Sequence, residues 1–348
     1  MSVEKINGFT SLQTHHCITG SLRHIYEFYG YPISEGMLLG LGAGVGFIYW
    51  HTKGTLPFLG GRANLERPGE EGLEKAVGRR TGVTVQSFRT ESARKAEKAL
   101  LEMLEASEPV MLILDMGYLP YFDFGGQEFH FGYHAVVACG YDAETRQVLI
   151  ADRDAELHAV PLQDLARARG SKYQPFPPHH AWYSFDFSHM HQPEPGEMLI
   201  AIHQCARGML EPPISNFGVK GINKASQMVQ RWSEVLGEKG LREACINTAI
   251  MIDARGGTGG GLFRYMYGRF LEEASDLIGE EEFRQAGVRM QAIGDSWETI
   301  AQLFEQAYHT DKPVEMLDHI SPLLYQIGIR EEEVWKDLHR LVGGYRRQ

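Results

Sequence analysis

The sequence predicts an α+β fold followed by an all-α domain, and three observations predict it. Helical patterns come first in the front half and a run of strand patterns follows, the order of an α+β protein rather than a doubly wound one. Two apolar runs, His134–Tyr141 (HAVVACGY) and Gln147–Ala151 (QVLIA), are separated by a short polar turn and read as an antiparallel hairpin. From about Asn223 onward, nearly every stretch carries apolar residues at three- and four-residue steps. The predicted organisation is a front domain over 1–187, a linker and connecting strand over 188–222, and a helical domain over 223–348.

The elements follow in order. Ile18, Leu22, Ile25 and Tyr29 recur at helical spacing behind Cys17, and Gly30 is a natural stop. Further helical patterns span Gly72–Thr81, Glu91–Glu105 and Leu162–Arg169. Val110–Met116 (VMLILDM) is a continuous apolar run, as a buried strand requires. His180–Phe187 and Met198–Gln204 read as further strands, with polar, proline-bearing Ser188–Glu197 between them. Six helices are expected behind: Ala225–Leu236, Leu241–Ile252, Leu262–Ile278, Glu281–Ala307, Val314–Ile327 and Glu331–Val342. The glycine run Gly256–Gly261 lacks the G-K-[ST] of a phosphate loop and reads as a tight interhelix loop. Gly40–Gly46 follows no strand pattern and is no dinucleotide fingerprint.

The totals exclude several classes. The chain of 348 residues is 43% hydrophobic, enough for two domains with real cores. Its net charge of −11 argues against general nucleic-acid binding. The longest uncharged run, Gly36 to Trp50, is glycine-rich and shorter than the roughly 20 residues of a membrane span. Four widely spaced cysteines form no CxxC pair, so reduced thiols in a cytoplasmic protein are expected. No metal or cofactor enters this reading. The oligomeric state is left open, and a homo-oligomer is compatible with the sequence.

The chemistry centres on Cys17. A cysteine at a helix N-terminus meets free N–H groups and the positive end of the helix dipole, which favour a thiolate. His134 begins the first hairpin strand and Asp152 ends the second, so the two are neighbours in a hairpin. A thiolate facing a histidine oriented by a carboxylate is the arrangement of cysteine hydrolases. Asp154 competes with Asp152 for the third role. Gln13, just upstream, is the candidate oxyanion donor, with the Cys17 N–H as the other. His15 and His16 either contact substrate or face solvent. Arg255 and Arg264, flanking the glycine run, are available to an anion such as a phosphopantetheine phosphate. Tyr118, Tyr121 and Phe122 are expected to form a loop wall near the cleft.

These residues also carry a resemblance. His134-Ala-Val-Val-Ala-Cys-Gly-Tyr141 followed by Asp152, behind a helix-start cysteine, resembles the papain-like peptidase C39 group. More specifically, three stretches resemble the N-terminal domain of the butirosin biosynthesis protein H family. They are His16-Cys17-Ile-Thr-Gly-Ser-Leu22, the Ile33–Phe47 segment and the His134 strand. The segment Arg255–Leu271 resembles the uncharacterised helical domain usually fused behind it. The resemblance implies a papain-like front domain and acyltransferase chemistry in secondary-metabolite biosynthesis. An acyl or aminoacyl group would pass from an acyl carrier protein or CoA thioester, through acyl-Cys17, to a small amine acceptor. It also makes Glu35 a candidate site residue, against a plain helix or loop charge. The glutamine of C39 peptidases lies further ahead of the cysteine than Gln13 does. Alternatives from the residues alone are a cysteine peptidase or amidase using the same groups, and a non-catalytic binding module.

Overall fold

The computed structural model describes residues 4–65, 71–126 and 128–345. In chain order the elements are α1 (Cys17–Phe28), α2 (Glu35–Leu41), β1 (Val45–Trp50), β2 (Phe58–Arg62), α3 (Leu73–Thr81), β3 (Thr84–Phe88), α4 (Ala93–Glu105), β4 (Val110–Leu114), β5 (His134–Asp142), β6 (Gln147–Ala151), β7 (Leu157–Pro161), α5 (Leu162–Arg169) and β8 (Trp182–Asp186). Helices α6 (Pro195–Leu210), α7 (Gly218–Val229), α8 (Trp232–Ile252), α9 (Arg264–Ile278), α10 (Glu281–His309) and α11 (Pro313–Tyr345) complete the chain. The class is mixed α+β in front and helical behind, as the sequence predicts.

The chain folds into two compact units interleaved in sequence. One takes the residues up to Glu35 and Thr81–His191, and the other takes Gly36–Arg80 and everything from Gln192 onward. This corrects the contiguous front domain over 1–187. The physical reason is burial: Leu38, Leu39, Leu41, Phe47 and Tyr49 are all core residues. Phe47 stacks on Trp297 of α10, and Trp232 of α8 donates its indole N–H to the Tyr49 hydroxyl at 3.1 Å. The helical unit therefore also holds the β1–β2 ribbon.

In the first unit, six antiparallel strands run in the order β3-β8-β4-β5-β6-β7. Central strands are continuous apolar runs because both faces are covered. Val110, Leu112, Val136, Ala138, Val148 and Ile150 are fully buried with Ile25 of α1, Leu100 of α4 and Leu165 of α5. The sequence reading misses β3 and β7, the two edges, whose polar residues are only partly covered.

In the second unit, the expected Met198–Gln204 strand is the middle of α6. Met198, Ala201, Ile202, Cys205, Ala206 and Met209 are its buried residues, at helical spacing, behind Pro195 in the first turn. The expected break between Ile327 and Glu331 is also absent. Leu324, Ile327, Glu331, Val334, Trp335 and Leu338 continue one buried stripe of α11. Glu331 fits that stripe because it pairs inside the core with Arg264. The glycine run is the tight loop expected: Gly257, Gly259, Gly260 and Gly261 all have positive φ, which side chains resist. No helix among the described residues is long and apolar enough to cross a membrane.

Candidate active site

Cys17 is the first residue of α1. His16 caps the helix, its ring Nδ1 accepting from the Thr19 N–H at 3.3 Å. The turn in front is held by Glu35. Its carboxylate accepts from the backbone N–H of His15 (2.8 Å), the backbone N–H of His16 (3.1 Å) and the Thr19 hydroxyl (3.0 Å). Gly20 leaves room for this turn, since a Cβ there would lie 2.4 Å from Thr14 Oγ1. His24 ties the segment further back. Burial pushes its pKa down to about 4, and its Nε2 accepts from the Leu12 N–H at 2.9 Å.

His134 opens β5 and Asp152 follows the last residue of β6. Val137 pairs with Ala151, so one further step puts Asp152 opposite Val136, on the face of the sheet that His134 shares. His134 Nε2 lies 2.7 Å from Asp152 Oδ2, and both side chains are buried. The other ring nitrogen is left for the hydrogen bond between His134 and the Cys17 thiol. The structure thus brings Cys17, His134 and Asp152 together. Asp154 is elsewhere: it is exposed and binds His158 at 3.0 Å.

The electrostatics follow from the geometry. Burial pushes the Cys17 thiol up. The hydrogen bond and charge of His134, the Ala135 N–H and the Arg153 charge outweigh it, so the thiol lies below its ordinary value. Burial alone would lower His134, yet the Asp152 carboxylate and the Cys17 sulfur raise it to about 9. Burial likewise works against the Asp152 charge, and His134 and the Tyr121 hydroxyl hold its pKa below the ordinary value. Both shifts run in the direction of a thiolate–imidazolium pair. The other three cysteines are buried, and burial raises their thiols, Cys139 and Cys245 to about 12.

Tyr121 is the site residue that sequence reasoning left as a mere wall. Its hydroxyl donates to Asp152 Oδ2 at 2.9 Å, and its ring stacks on His158 with centroids 4.0 Å apart. Burial and the Asp152 charge raise its pKa well above the usual phenol value, so it stays a donor. Phe122 meets the His134 ring edge-on at 5.6 Å. Only the proximity of the Tyr-Phe pair to the His134 strand in sequence hinted at this.

The remaining candidates have other partners. Gln13 is exposed and its side-chain amide donates to the Arg153 carbonyl at 3.0 Å, beside the Thr14 N–H at 2.7 Å. It therefore ties the pre-helix segment to the end of the hairpin. His16 and Glu35 are buried supports of the Cys17 turn. Tyr118 packs against His130 and Tyr173 under the Arg167 guanidinium. In the second unit, Arg255 is engaged by Asp253 and Glu305. Arg264 is fully buried, with Nε and Nη2 on the two Glu331 oxygens at 2.8 and 2.9 Å. The anion-contact reading of Arg264 is thereby corrected: a guanidinium satisfied inside a helical core has no access to a phosphate.

The family model described as butirosin biosynthesis protein H, N-terminal, matches residues 16–153, which include Cys17, His134 and Asp152. A second model, domain of unknown function (DUF4872), matches residues 163–338, just over half of the chain. No curated protein sequence matches the chain.

Proposed function

Because the chain belongs to the DUF4872 family and carries a butirosin biosynthesis protein H N-terminal domain ahead of it, we propose that it is a cysteine-dependent acyltransferase of secondary-metabolite biosynthesis. One observation carries the reading: a helix-start thiol below its ordinary pKa, hydrogen-bonded to a histidine that a buried carboxylate orients. In the first step the Cys17 thiolate attacks the carbonyl carbon of a thioester. The new carbon–sulfur bond forms, the donor's carbon–sulfur bond breaks, and the departing thiolate takes the His134 proton. In the second step an amine attacks acyl-Cys17, neutral His134 accepts the amine proton, and Cys17 leaves as a thiolate. Asp152 fixes the imidazole tautomer in both steps and stabilises its charged form. Exchange of one thioester for another is nearly isoenergetic, so the first step asks little of the leaving group. The donor is an acyl carrier protein or CoA thioester and the acceptor a small amine.

Incubation with acyl thioesters tests this by intact mass. Acyl-Cys17 is expected to accumulate without amine and to convert to amide when amine is added. Rapid release of free acid with no dependence on amine would make the protein a hydrolase instead. Absence of acyl-Cys17, with no free acid, would return it to a binding module.

A further inference from the structure

Phe122 leads away from the catalytic pair. Its ring meets His134 at 5.6 Å and an interplanar angle of 80°, and it stacks on Phe124 at 5.8 Å. Phe124 packs on Phe129 at 4.8 Å, and Phe129 is 46% exposed. Three rings in series therefore run from the histidine that binds the nucleophile to the surface. Gly125 and Gly126, both at positive φ, form a turn directly behind Phe124. Two charges lie inside the series: Asp123 accepts from the Gly125 N–H at 2.8 Å and so serves the turn, and Glu128 accepts from the Tyr173 hydroxyl at 2.7 Å. Single exposed apolar side chains are ordinary. A contiguous apolar series that ends on a reacting group marks a binding surface.

We infer that the acyl group loaded onto Cys17 is apolar, and that Phe122, Phe124 and Phe129 select it. This rests on the acyl-transfer reading above. An alkyl or aryl chain bonded to Cys17 exchanges water for phenyl faces along this series, whereas a charged chain loses hydration there and finds no counter-charge on these rings. The preference is thus expressed in the first step, the attack of the Cys17 thiolate on the thioester carbonyl.

The test measures acyl-Cys17 by intact mass, without amine, from N-acetylcysteamine thioesters of acetate, succinate, octanoate and phenylacetate. Each rate is divided by that of free cysteine with the same thioester. Octanoyl and phenylacetyl are expected to load about tenfold faster than acetyl and succinyl. Phe124→Ala and Phe129→Ala should each shrink that ratio to about threefold or less, while Phe129→Leu keeps most of it. Alkylation of Cys17 by iodoacetamide in each variant reports whether the nucleophile is formed. Equal loading of all four, or a ratio unchanged in both alanine variants, overturns the selection and leaves acyl transfer standing. Rings that only shield the His134–Asp152 pair would lower every rate together with the ratio intact, which also overturns it. Failure of every thioester on a protein whose Cys17 still alkylates selectively removes acyl transfer and this inference with it.

Discussion

The Cys17 thiol lies below its ordinary pKa because its neighbours outweigh its own burial. The same holds for His134, whose folded pKa of about 9 lies above the ordinary histidine value. A raised pKa means the native state holds the proton more tightly, so this contribution to stability is complete below the unfolded value near 6.5. It is lost as pH rises through about 9. The leaving thiolate needs that proton, so the rate of Cys17 acylation is expected to fall above about pH 9. Tyr121 acts through Asp152. Removing its hydroxyl in Tyr121→Phe takes a hydrogen bond from a buried carboxylate, an interaction worth roughly 1.5–3 kcal/mol. Acylation is expected to slow by about tenfold. Asp152, less stabilised as an anion, should hold the His134 proton harder and move the upper pH limb higher. A pH-rate profile of the variant identical to wild type would deny Tyr121 a positioning role. The juxtaposition of Cys17, His134 and Asp152 was legible from residue type and spacing. Tyr121 was not, because the loop that delivers it carries no periodicity.

At the scale of elements, the N-terminal end of α1 is built by a residue outside it. Glu35 closes the turn before Cys17 by accepting two backbone N–H groups and a hydroxyl. In Glu35→Gln one acceptor oxygen becomes an NH₂ group facing backbone donors. A loss of about 2–3 kcal/mol is expected in denaturant unfolding, with slower Cys17 alkylation as the turn loosens. Unchanged stability and reactivity would mean that the turn forms without it. The hairpin β5–β6 was readable because two apolar runs flank a short polar turn, and the register of the hairpin decides which faces align. The edge strands β3 and β7 escaped because half-covered edges carry no continuous apolar signal. The segment Met198–Gln204 misled because a seven-residue apolar window suits a buried strand and a buried helix equally; only the longer stripe of α6 decides.

At the scale of the whole molecule, sequence order and spatial order differ. Elements α2, β1, β2 and nearly all of α3 interrupt the first unit in sequence and belong to the unit of the C-terminal helices. No linker signal announces this, because one crossing falls at the first residue of α2 and the other at the end of α3. The second unit is organised around a buried charge cluster. Arg264 is bidentate to Glu331, which also accepts from the indole N–H groups of Trp297 and Trp335 at 2.9 and 3.0 Å. From sequence, Arg264 looks like a ligand contact, since a charged residue beside a glycine run carries no mark of burial. Glu331→Gln leaves a buried guanidinium uncompensated, at a cost of about 3–5 kcal/mol. Calorimetry is expected to show a markedly lower transition temperature. A transition at the wild-type temperature would mean that the pair contributes specificity rather than stability.

The central claim is that His134 lowers the pKa of the Cys17 thiol, and the pH dependence of Cys17 alkylation by iodoacetamide tests it most directly. Peptide mapping should find Cys17 labelled ahead of Cys139, Cys205 and Cys245, with a midpoint below the ordinary thiol value near 8.5. In His134→Ala the largest offset to burial disappears, so the midpoint should rise. A wild-type midpoint at or above 8.5, or one that His134→Ala does not move, would contradict the account.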